Sequence, residues 1–365
     1  MKNHLLFFEE SQYHGCMFDR FGCNSIFGDL CSFSVSEFKL KLNPNEKNIL
    51  VLKGIEDFSK YGNDIKKFLN LKNSFVVLAK EHEGFHHELF INLYKYIKPL
   101  NVDESKIFII GYDINCKIVF EKWKQLNNLN LNIQSIQIDT FIFENMDVFF
   151  VNGRLNHDIQ FTKKDREKIY VCYNGDPKDY RVRFVEELQK RELFDKGYVS
   201  LLTKHNPIVL DRKYVDHSNM TTQHYPLEHF ENSYFSMVTE SYFRDWGDNK
   251  DESYAHVTSM SEKIYKALLL NPFLLLGGYG ALAHLRKLGF ETFDELFDES
   301  YDDIVDSKKR FYKVLSELER VCNLGKEKLN DIYYNVMVDK VKFNQKHYID
   351  FNRQKLFTSF LEKIQ

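Results

Sequence analysis

No two of the six cysteines form a C-x-x-C pair: Cys16, Cys23, Cys31, Cys116, Cys172 and Cys322 stand apart. That spacing argues against zinc and for free thiols in a reducing compartment. No apolar run approaches the roughly 18 residues that a membrane span requires. The opening MKNHLLFFEESQYHG turns acidic after a short apolar run, too short for a signal peptide. A soluble, cytoplasmic protein without stable membrane insertion is expected (host cytoplasm if the source is viral). There is no basic excess either. Lys and Arg total 50 against 53 Asp and Glu, a net charge of −3, whereas proteins that grip bare nucleic acid carry a strongly basic footprint. A local basic groove is still compatible with that total.

At 365 residues the chain is long for one domain, and its hydrophobic content can fill two cores. The first half alternates short apolar runs with helical patterns. NILVLK (Asn48–Lys53), SFVVLA (Ser74–Ala79), KIFII (Lys106–Ile110) and Ile133–Ile138 read as strands. Asp64–Leu69, His86–Ile97 and Lys117–Leu126 read as helices, with Leu89, Leu93 and Ile97 four apart on one face. That rhythm predicts a mainly parallel sheet with helices on its faces.

A polar stretch around Asn152–Lys168 reads as a boundary, after which the pattern restarts. KIYVCY (Lys168–Tyr173) is a strand. Asn174-Gly175-Asp176-Pro177 is a turn into a helix that ends near Lys190, and Tyr198–Leu202 and Met237–Thr239 are further strands. The expected organisation is α/β, with two Rossmann-like domains facing a cleft. An acceptor-side domain would span 1–160, a nucleotide-sugar domain 165–310, and C-terminal helices 311–365.

The most informative stretch is HVTSMSEKIYKALLLNPFLLLGGYG, His256–Gly280. It predicts a capped helix from Met260 to Leu270, a stop at Pro272, a buried strand Phe273–Leu276 and a glycine turn. Ligands of wound α/β sheets sit at such strand ends. The glycines Gly277, Gly278 and Gly280 permit close backbone approach to a ligand or a turn needed only for packing. They lack the full dinucleotide fingerprint spacing after a first strand, which argues against a nicotinamide cofactor.

The C-terminal half resembles the nucleotide-sugar domain of GT-B glycosyltransferases, the fucosyltransferase-like group and related uncharacterised bacterial and viral proteins. The resemblance rests on Phe230-Glu231-Asn232-Ser233 and on Ser261-Glu262-Lys263, which stands where the group has Thr-Glu-Lys. An insert containing Val238-Thr239-Glu240 and the acidic Asp245–Glu252 separates the two. Leu193–Leu201, the glycine turn, Leu288–Phe293 and Asp298–Asp302 extend the likeness over about 165–310. Glu83-Gly84 and Gly111-Tyr112-Asp113 extend it faintly into the first half. Asp298–Asp302 reads as structural, a helix cap.

The resemblance implies a donor site in which Glu262 holds sugar hydroxyls and Lys263 neutralises the diphosphate. A lysine on a first helical turn adds to the positive end of the helix dipole. Against that stands a capping box, Ser259-Met260-Ser261-Glu262, in which Glu262 returns to the N-cap amide. Arg181 and Arg183 lie in early helical turns, where a cation is mildly disfavoured unless an anion is near. Their guanidinium forks suit phosphate, and pairing with Glu186 or Glu187 is the plain alternative. Asn174, His205, Glu240 and Gly278 complete the expected donor contacts.

For the base that takes the acceptor proton, Glu83 and then His82 are the candidates. They belong to a cluster of Glu81, His82, Glu83, His86 and His87 after a first-half strand. His82 and His86 could instead be metal ligands or solvated helix-start residues. No Asp-x-Asp occurs in the chain, so an inverting, metal-independent transfer without cofactor is expected. The acceptor would be a glycan or lipid-linked hydroxyl. Two rivals remain open: the same reaction on modified bases of viral DNA, and an inactive two-domain binding or structural protein.

Overall fold

The computed structural model describes residues 3–7, 31–35, 42, 45–52, 56–79, 87–111, 114–137, 161, 165–175, 177–202, 207–208, 227–241, 243, 258, 260–351, 358–359 and 361–364. The chain divides into two units, Met1–Phe143 with Asn352–Gln365, and Glu144–Phe351. The helices between Ser307 and Ile349 fall within the second of these units. Phe311, Val314, Leu315 and Leu318 are fully buried, and they belong with the second unit up to Phe351.

The first unit is a wound α/β layer. Its strands are β1 (Asn3–Phe7), β2 (Cys31–Val35), β3 (Lys47–Leu52), β4 (Ser74–Ala79), β5 (Ile107–Gly111) and β6 (Gln134–Gln137). All pair in parallel, in the order β2-β1-β3-β4-β5-β6. Parallel strands need covered crossovers, and α1 (Glu56–Leu69), α2 (His87–Ile97) and α3 (Cys116–Leu126) supply three. Ile49, Leu50, Val51 and Leu52 of β3 are all buried, as is the whole of β5. Such continuous apolar runs mark strands covered on both faces. Leu93 and Ile97 bury one face of α2 as their spacing predicts. The helix expected at Asp64–Leu69 begins earlier, at Glu56, and is interrupted by non-helical Tyr61 (φ −117°, ψ 17°).

The second unit repeats the plan. Its elements are β7 (Lys168–Asn174), α4 (Asp179–Lys190), β8 (Gly197–Leu201), α5 (Leu227–Glu231), β9 (Ser233–Thr239), α6 (Glu262–Leu270) and β10 (Phe273–Leu276). They are followed by α7 (Ala281–Lys287), α8 (Ser307–Cys322), α9 (Lys326–Ile332), a π-helical turn Tyr333–Met337 and α10 (Val338–Ile349). The strands are parallel, in the order β10-β9-β7-β8. Every residue of β9 and β10 is buried. Neighbouring strand residues point to opposite faces, and both faces are packed. Phe235 stacks on Tyr170 and meets Phe297, whereas Tyr234 meets Tyr333.

Arg166 locks the N-terminal edge of this sheet. Its guanidinium donates to the carbonyls of Phe230, Glu231 and Ser233 and lies 4.1 Å from the Tyr333 ring centroid. Among the described residues no helix is long and apolar enough to cross a membrane.

Candidate functional site

The second sheet has a topological switch point. From β7 the chain crosses outward to β8, then returns past β7 to β9. The crevice at the C-terminal ends of β7 and β9 is where open α/β sheets bind ligands. The matching point of the first sheet, between β1 and β3, is followed by residues outside the described set.

Asn174 ends β7 and is completely buried. Its side-chain oxygen accepts from Thr239 Oγ1 at 2.6 Å, and its Nδ2 donates to Ser200 O at 3.0 Å. The expected donor contact therefore joins the ends of β7, β8 and β9 and forms the floor of the crevice.

Arg181 lies inside that floor, only 2% exposed. Its Nη2 donates to Thr239 O at 2.9 Å and to Glu240 O at 3.0 Å. A cation in an early helical turn does gain nearby partial negative charge here, and the protein's own strand-end carbonyls supply it. Arg183 points outward. It pairs with Glu186 at 3.3 Å and Glu187 at 3.0 Å, the plain alternative weighed for it. The guanidinium is exposed, so solvent screens both pairs.

Glu240 follows β9 and is completely buried. Its Oε2 accepts the backbone N–H of Ser241 at 2.8 Å, and its Oε1 accepts that of Ser261 at 3.0 Å. The carboxylate thus fastens the entry of α6 to the end of β9. Ser261 is the N-cap of α6: its backbone is extended and its hydroxyl accepts from Lys263 N at 3.3 Å. Glu262 is consequently the first helical residue, not the third as in the capping box anchored at Ser259. The box is displaced because Ser261 itself holds the capping geometry. The Glu262 side chain lies outside the described set.

Two ammonium groups meet at Ser241. Lys263, in the first turn of α6, donates to Ser241 Oγ at 2.9 Å. Lys178, the N-cap of α4, donates to Ser241 O at 2.6 Å. Lysine is a poor N-cap: it offers no acceptor to the first turn, and α4 has no side-chain cap bond. Relative to Ser or Asp this costs roughly 0.5–2 kcal/mol. Lys178 was not among the expected contacts. The legible signal was its place between the Pro177 turn and the helix start.

Within the glycine turn Gly278 is packed against Thr258, whereas Gly280 faces open space. A Cβ on Gly278 would stand 2.4 Å from Thr258 Oγ1 and 2.7 Å from Thr258 Cα, so only glycine fits against Thr258 there. The start of α7 is also filled. Asp302 Oδ1 accepts from Leu282 N at 3.0 Å and Oδ2 from Ala283 N at 2.9 Å. The acidic segment is thus a helix cap, as read. Burial raises the pKa of Asp302 above the usual carboxylate range, with these two bonds opposing it. Arg310, buried on α8, donates to Gly277 O at 2.9 Å.

The Phe230–Ser233 segment sits at the N-terminal end of β9. Asn271 Nδ2 and Arg166 both donate to its carbonyls. A strand of this length spans on the order of 20 Å, so the segment holds the opposite edge of the sheet. His82, Glu83 and His205 lie outside the described residues.

Fold and site together define a wound α/β protein with cationic side chains gathered at the switch point of its second sheet. The chain matches no protein-family model and no curated protein at a significant level.

Proposed function

We propose that the protein is a glycosyltransferase that moves a hexosyl or pentosyl group from a nucleotide-diphosphate sugar to an acceptor hydroxyl. One observation carries the reading. Lys263, the residue that the resemblance assigns to the diphosphate, reaches the end of β9 at the switch point and lies 2.9 Å from Ser241 Oγ. A second wound parallel sheet in the same chain supports it, since two such units suit a donor and an acceptor.

In the reaction, the acceptor oxygen attacks the anomeric carbon and the bond from that carbon to the diphosphate oxygen breaks. The nucleoside diphosphate leaves with the electron pair, and a base takes the acceptor proton. Fixed positive charge at the leaving group lowers the barrier because it requires no reorganisation as charge develops. Lys263 supplies that charge, Glu262 holds sugar hydroxyls, and Glu83 or His82 acts as base. Donor neutralisation by side chains makes a metal-independent inverting transfer the working mechanism.

A panel of nucleotide-diphosphate sugars, with nucleoside diphosphate release followed by chromatography, tests the proposal. Release from at least one donor is expected. Acceptors follow from the same assay with glycans, lipid-linked glycans and duplex DNA carrying hydroxymethylated bases. A DNA acceptor predicts binding that weakens steeply with salt.

A further inference from the structure

We propose that Lys178 is the second phosphate-binding cation of the switch-point site, and that with Lys263 it selects a ligand carrying two linked phosphates over one carrying a single phosphate. The inference deepens the donor-binding reading above and rests on it for the identity of the whole ligand. The anion seat itself rests on geometry alone.

Lys178 and Lys263 come from different helices, α4 after β7 and α6 after β9. Those two strands bound the switch point. Their side chains are half-buried and converge on a single residue, Ser241, one through its carbonyl and the other through its hydroxyl. Ser241 itself is fixed from behind, since its N–H is held by the Glu240 carboxylate. The two ammonium groups are therefore anchored on one residue, beside the ends of the two strands that bound the switch point.

Behind Ser241 lie charges of both signs, the Glu240 carboxylate and the Arg181 guanidinium. The Arg181 guanidinium sits in the floor on Thr239 O and Glu240 O. Arg181 was one of two arginines expected to bind phosphate, but its burial turns it into the support. Lys178, three residues earlier and at the helix start, delivers an ammonium where the guanidinium cannot reach. Both bonds to Ser241 are of a kind that phosphate oxygens replace readily, ammonium being a compact, strongly hydrated point charge with three donors. Two such charges on one residue match two adjacent phosphates better than one.

Titration calorimetry with inorganic pyrophosphate and orthophosphate tests this without requiring any sugar. Wild-type protein, Lys178→Ala, Lys178→Gln and a surface control, Lys190→Ala, are compared. The wild-type protein is expected to bind pyrophosphate at least about tenfold more tightly than orthophosphate. Loss of one charge-assisted contact should weaken pyrophosphate binding by roughly tenfold or more in both Lys178 variants. Lys190→Ala should match wild type, and melting temperatures should show every variant folded. Should Lys178→Ala fail to fold, Lys178→Gln, which keeps a polar donor without charge, decides. Pyrophosphate binding within twofold of wild type in the folded variant overturns the proposal, as does absence of pyrophosphate binding by the wild type. If Lys178 carries pyrophosphate binding but no nucleotide-sugar is turned over, the transferase reading fails and this one stands. If sugar is transferred and Lys178 variants bind unchanged, the reverse holds.

Discussion

Glu240 holds Ser261: the buried carboxylate accepts the backbone N–H of the α6 N-cap residue at 3.0 Å, across 21 positions of sequence. Its other oxygen holds Ser241, the residue on which Lys178 and Lys263 converge. Glu240 was expected to contact donor directly, and in the structure both its oxygens meet backbone amides.

Glu240→Ala should therefore act first on stability. The buried Ser261 amide and the part-buried Ser241 amide lose their acceptor, at about 1–3 kcal/mol for the buried one and less for the other. For a unit of this size that is on the order of 5–15 °C in melting temperature. Glu240→Gln keeps one carbonyl acceptor and should lose about half as much. Equal melting temperatures for wild type and Glu240→Ala would remove the clamp from the account. Differential scanning calorimetry reads it.

Gly278→Ala should destabilise by about 1–3 kcal/mol through overpacking. Pairing it with Thr258→Ala should recover only part of that, because Thr258 Cα itself lies 2.7 Å from the new Cβ position. Gly280→Ala meets nothing within 4 Å and bears only the strain of its φ of +76°, about 1 kcal/mol. Urea denaturation of the three variants orders them.

Arg181→Met should cost about 2–4 kcal/mol by leaving the Thr239 and Glu240 carbonyls without their buried donor. Arg183→Met removes an exposed guanidinium from Glu186 and Glu187 and should cost less than Arg181→Met. A reversed order in chemical denaturation would contradict the placement of Arg181 as floor.

The buried thiols predict an alkaline limit. Burial pushes both Cys172 and Cys322 up to about 12, from an unfolded value near ~8.5. A group whose folded pKa is raised stabilises the native state below its unfolded pKa and loses that contribution as pH rises through the folded value. Between about 8.5 and 12 each thiol should lower stability by up to ~1.4 kcal/mol per pH unit. Both should also resist maleimide at pH 8 in native protein and react after unfolding, as mass spectrometry can count.

Much of the second sheet was legible. Strong apolar runs such as KIYVCY and PFLLLGG bound β7 and β10 by turn residues, and tertiary packing agreed with local pattern. β1 and β2 were missed because NHLLF and CSFSV are short and carry polar residues. Their pairing comes from partners elsewhere in the chain, β1 from both β2 and β3. The site was legible in its address and less so in its roles. Lys263 and Glu240 do lie at the strand ends. Sequence cannot show that Arg181 turns inward to the strand-end carbonyls while Lys178 reaches Ser241, since Lys178 is the extended N-cap residue, outside the helical repeat that sets the direction of Arg181. The glycine turn looked open to a ligand because Thr258, 20 positions earlier, is brought against it only by the fold.

The most direct test of the central claim is nucleoside diphosphate release from a panel of nucleotide-diphosphate sugars by wild type and Lys263→Ala. The account predicts release from at least one donor by wild type. Lys263→Ala should be slower by roughly tenfold or more, with its melting temperature little changed. No release from any donor, together with no thermal shift on adding any nucleoside diphosphate, would contradict it.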